Sequence, residues 1–172
     1  MYFNTYNQYA SNNHISLRMV PHYLGSAYGC LQYDKKTGES YIYYNKDLPK
    51  NCKRWNLIHE IGHYTLQHHL LKSKADGYLT AVDMARLEEE ANYFAKQVLA
   101  PDSLVLIIMA HCNRIDEIFL YMVYRSLFKL GRQASSYCAL HMAKYYSYKS
   151  INKDIIYQYL VPLEIYERII KY

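Results

Sequence analysis

The feature that most constrains this chain is an H-E-x-x-H motif, formed by His59, Glu60 and His63 inside a helical pattern. Apolar or small residues recur there every three or four positions, at Trp55, Ile58, Gly62, Leu66 and Leu70. This spacing predicts one helix that begins near Lys53 and ends before Asp76. Residues i and i+4 of a helix share a face, so both imidazoles can bind one metal ion, with Zn²⁺ the usual choice for this motif. Glu60 projects beside them, where a carboxylate can accept a proton from metal-bound water.

A catalytic zinc site needs a third protein ligand and an open position for water. The run Glu88-Glu89-Glu90-Ala91-Asn92 lies on a second predicted helix, which has a capped start at Thr80-Ala-Val-Asp83 and ends at Pro101. Successive helical residues point about 100° apart, so only one of the three carboxylates faces a given point. Glu88 shares a face with small residues that allow a close approach to the first helix, and it is our choice of third ligand. Asn92, one turn later, is placed to hydrogen-bond a ligating histidine; Glu89 and Glu90 are expected in solvent or around the ligands.

The remaining pattern indicates an α+β fold that is mainly helical. Strand-like segments at Ile15–Val20, Gly29–Tyr33 and Tyr41–Tyr44, the last two joined by a hairpin loop at 34–40, predict a small antiparallel sheet of about three strands. Further helices are predicted from Asp102 or Ser103 and over the ranges 114–129, 133–146 and 155–170, with a short helix or an irregular end at residues 1–13.

Composition excludes several classes of protein. Half of the residues are hydrophobic, a fifth are charged, and only six are Gly and four Pro, which is unlike a disordered or low-complexity chain. The four cysteines form no C-x-x-C pair, and we expect buried free thiols. The longest apolar run, Leu104–Ala110, is far shorter than the ~20 residues that span a bilayer. With no secretory signal at the start, the sequence predicts a cytoplasmic protein that does not enter a membrane.

The net charge of +5 is concentrated toward the C-terminus. Residues 120–150 contain no acid and five bases, Arg125, Lys129, Arg132, Lys144 and Lys149. Residues 127–139 have the pattern of two helices joined by a short turn at Gly131. Three interpretations stay open for this stretch: a substrate-docking element, a nucleic-acid-binding element, or helices that pack against the core.

Two consecutive histidines, His68 and His69, follow the metal-binding motif. They fall five and six residues after His63, which is a poor helical phase for binding the same metal, and we expect them at the surface.

Three motifs in order resemble the ImmA/IrrE metallopeptidase family. They are His-Glu-Ile-Gly-His-Tyr-Thr-Leu at 59–66, Glu-Glu-Glu-Ala-Asn-Tyr-Phe-Ala at 88–95, and Leu-Ala-Pro at 99–101. The resemblance covers residues 15–101 and is loose beyond them; Ala100 departs from the Met that is frequent in the family. By position it implies zinc ligands at His59, His63 and Glu88, and a catalytic base at Glu60.

The resemblance also implies a fold and a substrate. The fold would be a zincin-like domain over residues 1–110, followed by a C-terminal helical region over 111–172 that is a candidate for substrate docking. The function would be that of an anti-repressor of phages or mobile elements, a zinc-dependent endopeptidase that cleaves or inactivates a repressor with a helix-turn-helix DNA-binding domain. Two alternatives remain: a metal-containing module that sequesters the repressor without cleavage, and a toxin paired with a helix-turn-helix antitoxin. The sequence leaves direct nucleic-acid binding and the oligomeric state undecided.

Overall fold

The computed structural model describes residue 12 and residues 15–20, 28–74, 79–112 and 116–145. The elements are β1 (Ile15–Val20), β2 (Gly29–Tyr33), β3 (Ser40–Asn45), α1 (Lys50–Thr65), α2 (His68–Lys74), α3 (Ala81–Leu99), α4 (Asp102–Cys112), α5 (Glu117–Ser126) and α6 (Arg132–Tyr145). The α+β fold with three strands ahead of the helices is confirmed. The helix predicted at 155–170 and the segment 1–13 lie outside the described residues, except for residue 12.

The sheet differs from the prediction in the direction of one strand. Its order is β1-β3-β2, with β2 antiparallel to β3 but β1 parallel to β3, so the sheet is mixed and the fully antiparallel prediction is wrong. The β2–β3 hairpin follows from local signals: Asp34 Oδ1 accepts the Lys36 amide at 2.8 Å, and Gly38 turns the chain at φ 72°. The β1 pairing joins residues 25 positions apart, Ile15 with Ser40, and no local pattern reports such a pairing.

Strand β3 shows the period of two that a half-buried strand requires. Ser40, Ile42 and Tyr44 are buried, while the residues between them are half-buried. Ile42 is fully buried, so the central strand carries the middle of this small core.

The first long helix ends earlier than its apolar pattern predicts. α1 stops at Thr65, and a turn at Leu66 and Gln67 separates it from α2. Gln67 has φ 60°, a left-handed conformation that interrupts any helix. Leu66, which the predicted helix would have buried, is 42% exposed.

The start of α3 matches its predicted cap. Thr80 Oγ1 accepts the Asp83 amide at 3.1 Å, and the Asp83 carboxylate accepts the Thr80 amide at 3.1 Å, which is a reciprocal capping box. The helix ends at Leu99, before Pro101, and α4 begins at Asp102 as expected.

The described residues fall into two compact units, one within Met1–Ala95 and one within Lys96–Tyr172, with the boundary inside α3. The predicted domain division at residue 110 stays a prediction. In the second unit α5 and α6 pack on each other around fully buried side chains that include Tyr124, Leu130 and Met142. Lys129, with φ 56°, makes the turn between them, rather than Gly131.

The cysteines are free thiols, but only Cys138 is buried; Cys112 is exposed, and Cys30 and Cys52 are half-buried. No single described helix is both long and apolar enough to cross a membrane, although α3 and α4 satisfy that test together as a bent pair.

Candidate metal centre

The three residues chosen as ligands from the sequence lie together in the first unit. His59 and His63 come from consecutive turns of α1, and Glu88 comes from α3. The two Nε2 atoms of the histidines are 3.1 Å apart. Glu88 Oε2 lies 3.2 Å from His59 Nε2, and Glu88 Oε1 lies 3.4 Å from His63 Nε2. Two nitrogens and one carboxylate thus face a common point.

These spacings fit a tetrahedral zinc ion. Ligand atoms about 2.0–2.1 Å from a tetrahedral centre are roughly 3.3–3.4 Å from one another. The Nε2–Nε2 separation of 3.1 Å and the separations of 3.2 and 3.4 Å to the two Glu88 oxygens are close to that edge length. Two imidazoles and a carboxylate are also a donor set found in catalytic zinc sites. The described residues contain one such group of possible ligands.

The partner of His59 determines which of its nitrogens is available to a metal. Asn92 Oδ1 lies 3.0 Å from His59 Nδ1. An amide oxygen only accepts hydrogen bonds, so His59 Nδ1 carries the proton and Nε2 presents its lone pair. Burial lowers the pKa of His59, although Glu88 and Asn92 act in the opposite direction. The neutral, ligating form of this ring is therefore favoured.

His68 is not at the surface, and that prediction is wrong. It is 2% exposed; its Nδ1 lies 2.9 Å from His63 Nδ1 and its Nε2 lies 3.0 Å from Glu90 Oε2. The phase argument assumed a continuous helix, whereas the left-handed Gln67 restarts the chain in a new direction. His69, half-buried, stacks its ring on Tyr64 at a centroid distance of 5.2 Å. The weak sequence signal for these contacts was two adjacent histidines soon after the motif.

Glu60 is 8% exposed and lies where β2 passes α1. A Cβ atom added to Gly29 would lie 3.6 Å from Glu60 Cγ and 3.0 Å from the Tyr43 carbonyl oxygen. Strand β2 can therefore come close to the Glu60 side chain because Gly29 itself has no side chain. Burial, and secondarily the Glu60 charge, raises the pKa of the neighbouring Cys30 thiol. Sequence analysis did not identify Gly29 as part of the site.

A cleft of about 300 Å³ joins these groups. Its lining includes the start of β2 (Gly29, Cys30 and Leu31) and the side chains of His59, Glu60, His63 and Glu88. The candidate ligands and the buried carboxylate are therefore accessible from one opening.

Gly62 brings the two ligand-bearing helices together. A Cβ atom there would lie 3.1 Å from Phe94 Cδ1 and 3.3 Å from the Ala91 carbonyl oxygen. Ala91 and Ala95 are fully buried, as expected for a close helix contact. The glycine of the motif lets α3 carry Glu88 within reach of both histidines.

Comparison with known proteins identifies the family of the chain. The family model of peptidase M78, described as an IrrE N-terminal-like domain, matches residues 18–134, which extends past the motifs that carry the resemblance in sequence. A segment of 82 residues is 33% identical to the metallopeptidase ImmA of Bacillus subtilis (strain 168). That match covers 48% of this chain and 47% of the relative, about half of each protein. Because the family model spans most of its length, the chain belongs to the peptidase M78 family of IrrE N-terminal-like domains.

Proposed function

We propose that this protein is a zinc-dependent endopeptidase whose substrate is a helix-turn-helix transcriptional repressor. The observation that carries the catalytic part is the convergence of His59 Nε2, His63 Nε2 and one Glu88 carboxylate, 3.1–3.4 Å apart, beside a buried glutamate. Membership of a peptidase family supports the same reaction.

The donor set suits zinc among the common metals. Imidazole nitrogens are intermediate between hard and soft ligands, and Mg²⁺ and Ca²⁺ seldom bind them. Two histidines and a glutamate, by contrast, form a familiar zinc site. Bound zinc would supply a Lewis acid that activates water and polarises the peptide carbonyl. The residues of the chain then have to hold the substrate and move protons.

Glu60 is the proposed general base. It is adjacent to His59 in the chain, lines the same cleft, and is buried by the close passage of β2 at Gly29. From that position its carboxylate accepts the proton of the attacking water and passes it to the leaving amine. Its burial limits competing contact with bulk solvent.

An edge strand beside the cleft supports a peptide as the substrate. In the described sheet β2 is an edge strand, and its first residues, Gly29–Leu31, line the cleft. An extended peptide can add to such an edge through backbone hydrogen bonds. This mode would hold an extended backbone along the cleft that Glu60 lines, without requiring a particular side-chain sequence.

The repressor is the finer part of the proposal, and it rests on the family resemblance. The chain would act in the cytoplasm on a repressor of a phage or mobile element, and residues 111–172 would help to dock it. Of the basic residues in the second unit, Lys129 and Arg132 are exposed, and Arg125 donates to the Leu130 carbonyl oxygen at 2.6 Å. Lys129 and Arg132 are therefore the better positions for testing a docking role, since charge reversal at Arg125 would also break a turn.

The decisive experiment mixes the purified protein with a helix-turn-helix repressor encoded beside it and searches for fragments by mass spectrometry. Cleavage should require zinc and stop with a chelator. Glu60→Gln should retain zinc and lose cleavage, while Glu89→Gln, a matched change at an exposed position on α3, should behave as wild type. If Glu60→Gln still relieves repression, sequestration without cleavage is the correct function. If zinc-loaded wild type neither cuts nor binds the repressor, the proposed substrate is wrong.

A further inference from the structure

Three side chains from three helices form a continuous hydrogen-bonded row beside the candidate zinc site. His63 lies on α1, His68 is the first residue of α2, and Glu90 lies on α3. The two Nδ1 atoms of the histidines are 2.9 Å apart, and His68 Nε2 is 3.0 Å from Glu90 Oε2. His63 and His68 are 6% and 2% exposed, whereas the Glu90 side chain is 47% exposed.

The position of each proton along this row follows from the two ends. A metal at His63 Nε2 requires that nitrogen to be bare, so the proton of the neutral ring is on Nδ1. His63 Nδ1 then donates to His68 Nδ1, which must be bare. The proton of His68 is on Nε2 and is donated to the Glu90 carboxylate, which accepts. Every nitrogen in the row has one role, and no two protons or two lone pairs face each other.

We infer that His68 and Glu90 are positioning residues for His63, and that they select the tautomer in which Nε2 binds the metal. This inference rests on the proposed zinc site. Partners beyond the direct ligands fix the orientation of metal-bound imidazoles and strengthen them as donors. His59 has a neutral partner in Asn92, whereas His63 is supported by a histidine and, through it, by a carboxylate. The carboxylate polarises His68, which in turn makes His63 the more electron-rich ligand.

A purely structural role for His68 and Glu90 makes a different prediction. As an ion pair, His68 would carry protons on both nitrogens and donate to both His63 and Glu90. His63 Nδ1 would then be the acceptor, and its proton would be on Nε2, facing the other ligand atoms. Because bound zinc would itself fix the proton of His63 on Nδ1, the tautomers of His63 and His68 in the metal-free protein separate the two roles. Arg86, which approaches Glu90 Oε1 at 3.7 Å, is an exposed partner of Glu90 on the same helix and gives a control variant.

The first test reads the tautomers directly in the metal-free wild type at a pH above the usual imidazole pKa. Long-range ¹H–¹⁵N spectra of histidine-labelled protein should show His63 protonated at Nδ1 and His68 protonated only at Nε2. A proton on His63 Nε2, or on both nitrogens of His68, in the metal-free protein would overturn the inference. This measurement needs no substitution, so it holds even where a variant fails to fold.

The second test measures zinc affinity by competition with a chelator. Glu90→Gln and His68→Leu should each weaken zinc binding by about 10- to 100-fold. The double variant should lose no more than the worse single variant, because both act through His63. Glu89→Gln and Arg86→Ala should bind zinc as the wild type does. Thermal unfolding of the metal-free proteins checks that each variant folds.

The outcomes distinguish this inference from the proposed function. If the wild type binds no zinc, both the proposed function and the inference about His68 and Glu90 are wrong. A wild type that binds zinc and cleaves, with Glu90→Gln equal to it in zinc affinity, overturns only the inference about His68 and Glu90.

Discussion

The contact at Gly62 leads to a quantitative prediction about the substitution Gly62→Ala. An added Cβ atom would be 3.1 Å from Phe94 Cδ1 and 3.3 Å from the Ala91 carbonyl oxygen, against an ordinary contact distance of at least 3.4 Å. The Phe94 ring is half-buried and can give way in part, but the carbonyl belongs to the backbone of α3. We expect α3 to move away from α1 by a few tenths of an ångström.

This displacement matters because α3 carries Glu88. Metal–ligand distances tolerate deviations of about 0.2 Å, so a comparable shift of the carboxylate weakens the site. We expect zinc affinity to fall roughly 10-fold, as for other changes that disturb ligand placement. Stability should fall by about 0–2 kcal/mol, because alanine gains about 1 kcal/mol over glycine inside a helix and overpacking costs about 1–3 kcal/mol.

The assay pairs chelator competition for zinc affinity with urea unfolding of the metal-free protein. Glu89→Ala is the control, since it changes an exposed position on α3 near Glu88 without adding atoms between the helices. If Gly62→Ala raises stability by the full helix-propensity gain and leaves zinc affinity unchanged, the close approach of the helices does not set the position of Glu88. That result would refute the reasoning.

Three further predictions concern stability and thiol chemistry. Zinc at 100 times its dissociation constant should stabilise the protein by about 2.7 kcal/mol. Removing the zinc with a chelator should therefore lower Tm by roughly 5–10 °C in calorimetry. An unchanged Tm would contradict a zinc site in the folded state. Burial raises the pKa of Cys138 to about 12. Iodoacetamide at about pH 8, near the ordinary thiol pKa, should therefore label the exposed Cys112 and leave Cys138 unmodified until the protein is unfolded. Labelling of Cys138 in the native protein would contradict this prediction. Lys96 is fully buried against the Asp102 carboxylate. Lys96→Met should lower the free energy of unfolding in urea by about 3 kcal/mol or more, because the Asp102 charge stays buried without its partner. The double variant with Asp102→Leu should recover much of this loss, and a Lys96→Met variant as stable as the wild type would contradict the argument.

Local patterns predicted the parts of this molecule that local physics determines. The i, i+4 spacing puts His59 and His63 on one face, and helical phase selects Glu88 over its two neighbours. The structure brings those three residues together, with Asn92 against His59. The hairpin before α1 and the cap of α3 follow from turn and capping residues in the same way.

Two features escaped prediction because each depends on something non-local or on one unusual residue. The parallel pairing of β1 with β3 joins distant segments, and strand patterns do not encode pairing order. The break after Thr65 depends on Gln67, a residue with good helix propensity that has a left-handed conformation here. A period of 3.6 residues continues smoothly through that position in the sequence, so the pattern alone extended the helix.

The left-handed Gln67 and the surroundings of His63 are best understood as one feature. In a continuous helix, His68 would point about 140° away from His63, and no hydrogen bond could join their rings. A left-handed residue other than glycine costs on the order of 1 kcal/mol, and it persists where neighbouring contacts over-determine it. Here those contacts are His68 against His63, and the ring of His69 stacked on Tyr64 with Tyr33 of β2 at 5.4 Å. The turn thus places both histidines in the wall of the cleft, with His68 also against the candidate ligand His63, which explains why a short helix restarts at this point.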